Sequence, residues 1–242
     1  MRYPRLYFSV VLLSILYTIS SYAFDDCGFT DLPTDAIYTE QGFIWYRQSD
    51  YQSEGQIGYW EGFLTAYHGR VTNMYRPTYS GCGPISMACI LTNVRQELIT
   101  PADTIQYYCD TGLYTGNGSS HRSSKAAAEH WEVSYELPSN SVHSDRSQDM
   151  QIEVSWMRYH LERGHWIQIL VKGSPNIKNS IWPYNGGHYV AIHGYQDGNT
   201  FIYDSCREDM LDIPYSLEEV WMNIRNPIVD GCGNYNHMCA IW

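Results

Sequence analysis

Residues 80–94 read SGCGPISMACILTNV, and this stretch decides the predicted fold. It begins as a sharp turn with two glycines, which allow backbone conformations that other residues avoid. Residues 85–94 are apolar on nearly every side, a pattern that predicts a buried helix. Pro84 suits the first turn of this helix, where the N–H that proline lacks would have no partner. The stretch therefore predicts that Cys82 lies at the N-terminal end of a buried helix.

Cys82 is a candidate nucleophile because of this position. The N-terminus of a helix favours a negative group by about 0.3–1 kcal/mol, and by up to about 2 kcal/mol when the group is partly buried. A thiolate is such a group, and it is the reactive form of cysteine. The chain has 7 cysteines, and an odd number in a secreted protein indicates a free thiol or an intermolecular bridge. The alternative is that Cys82 is one half of a disulfide.

Residues 188–204 predict a β-hairpin with its turn at 197–199. Pairing across this turn brings Asp204 close to His188. A nucleophilic cysteine needs a base, and the base needs a group that orients it, so the pair suits Cys82. The alternatives are a structural histidine and an aspartate that caps the strand end. His193 has the opposite parity on its strand and is expected to face the other way.

Several of these segments resemble one known family. YSGCGPISMA at 79–88 resembles the nucleophile motif of the bacteriocin-processing (double-glycine) peptidase-like family, and GHYVAIHGYQDG at 187–198 looks like its histidine motif. Asp204 falls at the spacing of the third member of that family's catalytic group. YRQSD at 46–50 resembles its upstream segment, and the whole resemblance covers about residues 43–225.

The resemblance implies a papain-like α+β fold, with the nucleophile helix packed on an antiparallel sheet, and cysteine peptidase chemistry. Cys82 would attack a carbonyl, His188 would carry the proton, and Asp204 would orient His188. Gln48 and the backbone N–H of Cys82 would stabilise the oxyanion, with Gln56 as a competing candidate for the glutamine. The chemistry needs no metal and no organic cofactor.

The remaining patterns also favour an α+β domain. The helices are expected first and the main strands later, which predicts a single domain over residues 24–242. Helices are predicted from Thr100 as N-cap to about residue 109, at 123–131, at 149–163 with Gly164 as C-cap, and from 216. Strands are predicted at 43–46, 166–171, 188–195 and 200–204.

Residues 1–23 have the features of a secretory signal peptide. Arg2 and Arg5 precede an uncharged apolar run at 6–20, and cleavage is expected after Ala23. The run is short for a membrane span, which needs about 20 residues. We therefore expect a secreted or periplasmic protein without stable membrane association, and an uncleaved anchor is the disfavoured alternative.

The composition excludes some functions. The 242 residues carry a formal charge of −11, and removal of 1–23 takes away two arginines and no acid, which leaves −13. Nonspecific binding to nucleic acid or to anionic membranes needs basic patches, so neither partner is expected. A hydrophobic content of 44% is enough for a folded core.

The other six cysteines could form three disulfides, with 15 possible pairings. Cys232 and Cys239 could close a small terminal loop, and a zinc site formed by these two and His237 is the weaker alternative. Cys89 lies about two helical turns after Cys82 and is interpreted as a core thiol or a disulfide partner.

The leading hypothesis is a secreted cysteine peptidase-like hydrolase that cleaves peptide or isopeptide bonds in a peptide or protein substrate. One alternative is an amidase or transferase that acts on cell-wall peptides through the same residues. Another is a catalytically silent secreted binding domain. All three predict nearly the same fold.

Overall fold

The structure of the protein is a computed structural model. It describes residues 36–48, 81–115, 118–120, 122–138, 146–173, 181–182, 186–224 and 237–242. These residues belong to one compact unit, Pro33–Trp242. The predicted signal peptide, Gln56, Cys27 and Cys232 lie outside the described residues.

The largest sheet has six strands, and every neighbouring pair is antiparallel. Its order is β5-β10-β6-β7-β8-β9, with β5 at Tyr135–Glu136, β6 at Trp166–Gly173, β7 at Gly186–Gln196, β8 at Asn199–Tyr203, β9 at Pro214–Ser216 and β10 at Met238–Ile241. Two small hairpins accompany it, formed by β1 (Ala36–Tyr38) with β2 (Ile44–Tyr46) and by β3 (Tyr114–Thr115) with β4 (Gly118–Ser119).

Five α-helices are described: α1 at Cys82–Arg95, α2 at Pro101–Asp110, α3 at Ser123–His130, α4 at Arg146–Leu161 and α5 at Leu217–Met222. With the antiparallel sheet, they make the fold α+β, as the sequence predicts. The helix α1 is buried from residue 82 to residue 93, which confirms the prediction of a buried helix that begins at Cys82. The helix α2 begins with a reciprocal capping box between Thr100 and Asp103, so Thr100 is the N-cap as predicted.

Alternation along β6 separates the two faces of the sheet. Ile167, Ile169 and Val171 belong to a hydrophobic core that also contains residues of α4 and α5. Gln168 and Leu170 point to the opposite face, where the amide of Gln168 donates hydrogen bonds to α1. The central strands are therefore covered by α4 and α5 on one face and by α1 on the other.

The hairpin of β7 and β8 contains a shift of register that matters for the site. Gln196 pairs with Asn199 beside the turn, but His193 pairs with Phe201, so the register moves by one residue between these pairs. Gly194, with a φ of +75°, lies in the shifted segment. A shift of one residue moves the side chains that follow it to the other face of the sheet. The shift therefore determines whether the side chain of Asp204 points to the same face as that of His188.

Most predicted elements are present with small differences at their ends. The helix α4 begins three residues before its predicted start, because a helix held by packing extends through polar residues. Strands β6 and β7 are longer than predicted because they extend together: Lys172 pairs with Gly187 and Gly173 with Gly186. Among the described residues, no helix is both long enough and apolar enough to cross a membrane.

The five described cysteines are all free thiols. Four of them are buried, namely Cys82, Cys89, Cys109 and Cys239, and Cys206 is exposed. Four of the six cysteines that were expected to pair are therefore unpaired here. Cys239 lies in β10, a buried strand, so its thiol is part of the core. The disulfide prediction has no support in the described part of the chain.

Candidate active site

Cys82 is the first residue of α1, and its N-cap is Gly81, which has no side chain to cap the helix. The side chain is 9% exposed and packs with Leu170 and Tyr189 of the sheet. The helix N-terminus therefore presents its partial positive charge to a thiol in a mostly dry environment. Such surroundings favour the thiolate when a second positive group is close.

Gly83 is required beside Cys82 because of close packing. A Cβ at this position would lie 2.6 Å from Cβ of Ser119, closer still to its Oγ, and 3.3 Å from the ring of Tyr189. Carbon atoms do not approach each other this closely. The second glycine of the turn motif therefore lets β4 and β7 pack against the start of α1.

His188 and Asp204 form the contact that the sequence predicted. The Nε2–H of His188 donates a hydrogen bond of 2.6 Å to Oδ1 of Asp204, and both residues are buried. Ala191 pairs with Tyr203, and continuing this pairing by one residue sets Asp204 opposite Val190. Val190 is two residues from His188 and therefore on the same face of the sheet. Without the shift, Asp204 would be level with Ala191 and would face away from His188.

Cys82 is the second neighbour of the His188 ring in this site. Since Nε2 is hydrogen-bonded to Asp204, Nδ1 is the nitrogen that can serve the thiol, and the two side chains are close enough for each to shift the pKa of the other. The three residues therefore form a continuous chain of sulfur, imidazole and carboxylate.

Asp204 is held by three donors. Besides His188, the indole Nε1–H of Trp182 donates to Oδ2 at 2.7 Å, and the backbone N–H of Cys206 donates to Oδ1 at 2.8 Å. The indole of Trp45 donates to the backbone carbonyl of Asp204 at 3.1 Å. A fully buried carboxylate with these donors is stabilised in its ionised form.

The charges of the three groups shift their pKa values so that each group favours the ionised form of its neighbour. Burial alone would raise the pKa of the Cys82 thiol, but the hydrogen bond and positive charge of His188 outweigh burial and lower it. Burial would lower the pKa of His188, yet the charge and hydrogen bond of Asp204 raise it well above its ordinary value. The pKa of Asp204 is lowered: burial opposes this shift, and the charge of His188 causes it. The geometry thus favours a thiolate beside an imidazolium.

Gln48 is buried next to the segment that follows Asp204. Its backbone N–H donates to the carbonyl of Ser205 at 2.8 Å. Its side-chain Oε1 accepts from the hydroxyl of Ser205 at 3.0 Å and from the thiol of Cys206 at 3.2 Å. Since the oxygen of the planar amide is held by these donors, the NH₂ group lies on the other side of the amide as its donor end.

Two other candidates have structural roles. His193 lies on the opposite face from His188, where its ring stacks on Trp166 with centroids 4.4 Å apart. Burial lowers its pKa to about 4. Cys89 is a buried thiol that donates to the carbonyl of Ile44 at 3.1 Å, and burial raises its pKa. Cys89 is therefore a core thiol and not a second nucleophile.

The sequence interpretation missed Trp182 and the position of Cys206. Trp182 lies in a segment rich in Gly, Pro and Asn that has no periodicity, and its partner Asp204 is 22 residues away. Cys206 was counted as a possible disulfide half. Its position two residues after Asp204 is a sequence signal that it would lie beside the site.

Replacing Trp182 with Phe removes the indole donor from buried Asp204, and we expect a loss of about 1–3 kcal/mol in the free energy of unfolding. The matched control is Trp156→Phe, which removes an indole donor from exposed Glu136, where water can replace it. Urea unfolding at pH 7 measures both. The pKa of Asp204, followed by carboxyl NMR, should rise only in Trp182→Phe. Equal losses in both variants with an unchanged Asp204 titration would contradict this role.

No protein-family model matches the chain, and a search of curated proteins gives no match to it.

Proposed function

We propose that this chain is a papain-like cysteine hydrolase that cleaves peptide or isopeptide bonds through Cys82, His188 and Asp204. The observation that carries the proposal is the pairing of His188 with Asp204 at 2.6 Å beside Cys82, close enough that the imidazole lowers the pKa of the thiol. Nucleophile, proton carrier and orienting group are the three parts that acyl transfer by a thiol requires.

The first half of the proposed reaction forms an acyl-enzyme. The thiolate of Cys82 attacks the carbonyl carbon, so that a C–S bond forms and an electron pair moves to the carbonyl oxygen. His188 then gives its Nδ1 proton to the amide nitrogen, the C–N bond breaks, and the amine leaves. A thioester on Cys82 and a neutral His188 remain.

The second half hydrolyses the thioester. Neutral His188 takes a proton from water as the water oxygen attacks the thioester carbon. The C–S bond then breaks, the carboxylic acid leaves, and the thiolate–imidazolium pair returns. Asp204 stays ionised and holds the ring by its Nε2–H in both halves. These side chains supply all the groups the reaction needs, so no metal or organic cofactor enters it.

We assign the stabilisation of the oxyanion to two hydrogen-bond donors. These are the backbone N–H of Cys82 at the start of α1 and the side-chain NH₂ of Gln48. The fixed orientation of the Gln48 amide supports this role, because its oxygen is already held by Ser205 and Cys206. Loss of one such donor typically lowers the rate by about 10²–10³.

The resemblance to the bacteriocin-processing (double-glycine) peptidase-like family supports the same proposal on two separate motifs. The α+β architecture, with α1 packed on the antiparallel sheet, is compatible with a papain-like fold. From the signal-peptide features of residues 1–23 we further propose that the enzyme acts after export. Its proposed substrate is a peptide or protein and not a nucleic acid.

Peptide cleavage tests this function. The purified protein is incubated with a peptide library that includes isopeptide-linked and cell-wall peptides, and products are identified by mass spectrometry. We expect Cys82→Ser to reduce cleavage by at least about 10³-fold. Cys89→Ser, the same chemical change on the same helix, keeps a donor for Ile44 and should leave cleavage intact.

Three results would overturn the proposal. Cleavage that falls equally in Cys82→Ser and Cys89→Ser would mean that the thiol of Cys82 is not the nucleophile. Transfer to an amine, or cleavage limited to cell-wall peptides, would favour the amidase or transferase alternative. Peptide binding without turnover would favour a silent binding domain.

A further inference from the structure

Cys206 is a second thiol at the site that the proposed reaction does not use. Its backbone N–H donates to Asp204, and its Sγ donates to Oε1 of Gln48 at 3.2 Å. It is the exposed member of the five described cysteines. An exposed residue whose thiol is partly covered by Gln48 therefore lies directly beside the buried carboxylate of Asp204.

Three different ligand types converge at this place. The sulfur of Cys206, a ring nitrogen of His188 and a carboxylate oxygen of Asp204 all lie within 4.8 Å of one another. In a tetrahedral zinc site with bonds of 2.0–2.3 Å, ligand atoms are about 3.3–3.8 Å apart. Movements of about one ångström or less would therefore bring the three atoms onto a single ion.

We propose that His188, Asp204 and Cys206 form a binding site for a divalent zinc-like cation, which inhibits the enzyme when it binds. A set of one imidazole, one carboxylate and one thiolate suits borderline-soft ions such as Zn²⁺ and Co²⁺. Hard ions such as Mg²⁺ and Ca²⁺ prefer oxygen ligands only and are not expected to bind. Because Cys206 is an exposed residue, an ion can reach the three ligands from solvent on this side.

Binding exchanges protons for the metal. Bonds form from the ion to the sulfur of Cys206, to Nε2 of His188 and to an oxygen of Asp204, and water takes the fourth position. The Cys206 thiol proton and the His188 Nε2 proton leave to solvent. The hydrogen bond between His188 and Asp204 is thereby broken. The ring keeps its Nδ1 proton, but a metal-bound imidazole is a weaker acid than an imidazolium, so it gives this proton to the leaving amine less readily. The ion is thus an inhibitor and not a cofactor.

Cobalt absorption tests binding without any need for activity. Purified Cys82→Ala protein is titrated anaerobically with Co²⁺, so that the nucleophile cannot supply the signal. We expect a thiolate-to-cobalt charge-transfer band together with the d–d bands of a four-coordinate ion. Cys206→Ser in the same background should weaken Co²⁺ binding at least about tenfold, since even outer partners of metal ligands are worth 10–100-fold. Asp209→Asn, which alters a nearby exposed carboxylate, should bind like the parent.

Inhibition by zinc tests the predicted effect of the bound ion on the enzyme. This second experiment rests on the proposed function. Zn²⁺ should slow peptide cleavage, a chelator should restore the rate, and Cys206→Ser should need at least about tenfold more Zn²⁺ for the same inhibition. Equal inhibition of both proteins, or a cobalt spectrum unchanged by Cys206→Ser, would overturn the proposal. A Cys206-dependent cobalt spectrum in a protein that cleaves nothing would support the metal site and reject the hydrolase.

Discussion

At pH 6, iodoacetamide is expected to alkylate Cys82 in the folded protein ahead of the other described cysteines. His188→Ala should slow this reaction by at least about tenfold, because it removes the positive charge that stabilises the thiolate. Burial raises the pKa of Cys206 to about 11 and those of Cys109 and Cys239 to about 12, so their thiols stay protonated at this pH. Mass spectrometry of digested samples taken over time gives the rate at each cysteine.

The pH dependence of alkylation has a definite sign. The pKa of Cys82 is lowered from its ordinary value of 9.0, so the rate should stay high as the pH falls below 9 and drop only below the lowered value. In His188→Ala, burial is no longer opposed by the imidazolium, so the inflection should move to higher pH.

The matched control for this experiment is His193→Ala. It removes a second imidazole from the same strand, but from the opposite face, where the ring stacks on Trp166. Its alkylation rate should stay within about twofold of the parent, as expected for a site without shared partners. Equal alkylation of Cys82 in the parent and in His188→Ala would remove the basis for the proposed nucleophile.

Replacement of Asp204 should have the largest effect on stability. Asp204→Ala leaves His188 buried without its charged partner and removes the acceptor of Trp182 and of the Cys206 amide. Loss of one member of a buried ion pair costs about 3–5 kcal/mol in the free energy of unfolding. Asp204→Asn keeps one acceptor oxygen and should cost less. Urea unfolding at pH 7 measures both variants.

The dependence of the free energy of unfolding on pH checks that the charge of Asp204 causes the loss of stability in its variants. Its pKa is lowered in the folded protein, so its contribution to stability is fully present above its ordinary value of 3.8 and is lost as the pH falls through the lowered value. The difference between the parent and Asp204→Asn should therefore shrink in acid. The pKa of His188, measured by NMR, should fall in Asp204→Asn, because the charge of Asp204 raises it in the parent.

Asp209→Asn is the control, because Asp209 is an exposed carboxylate that pairs with Arg207 at 2.7 Å. Its unfolding curve should match that of the parent. A stability difference for Asp204→Asn that stays constant down to strong acid would mean that volume, and not charge, explains the loss.

Much of the site could be predicted from local sequence patterns. The apolar run at 85–94 and the turn before it predict the helix that begins at Cys82, and the structure has this helix. The spacing of His188 and Asp204 around a turn predicts their contact, and the structure has it at 2.6 Å. The helix and the hairpin are each formed by one continuous segment, so periodicity and turn chemistry are enough to indicate them.

The sequence alone determined where the helix of Cys82 begins and which hairpin contains His188 and Asp204. Tertiary structure decided the rest: the shift of register that turns Asp204 toward His188, the indole of Trp182 on the carboxylate, and the thiol of Cys206 beside it. Gln48 and Cys206 are 158 residues apart in the chain. Such contacts depend on how separate elements pack in three dimensions, and no local pattern of residues encodes that packing.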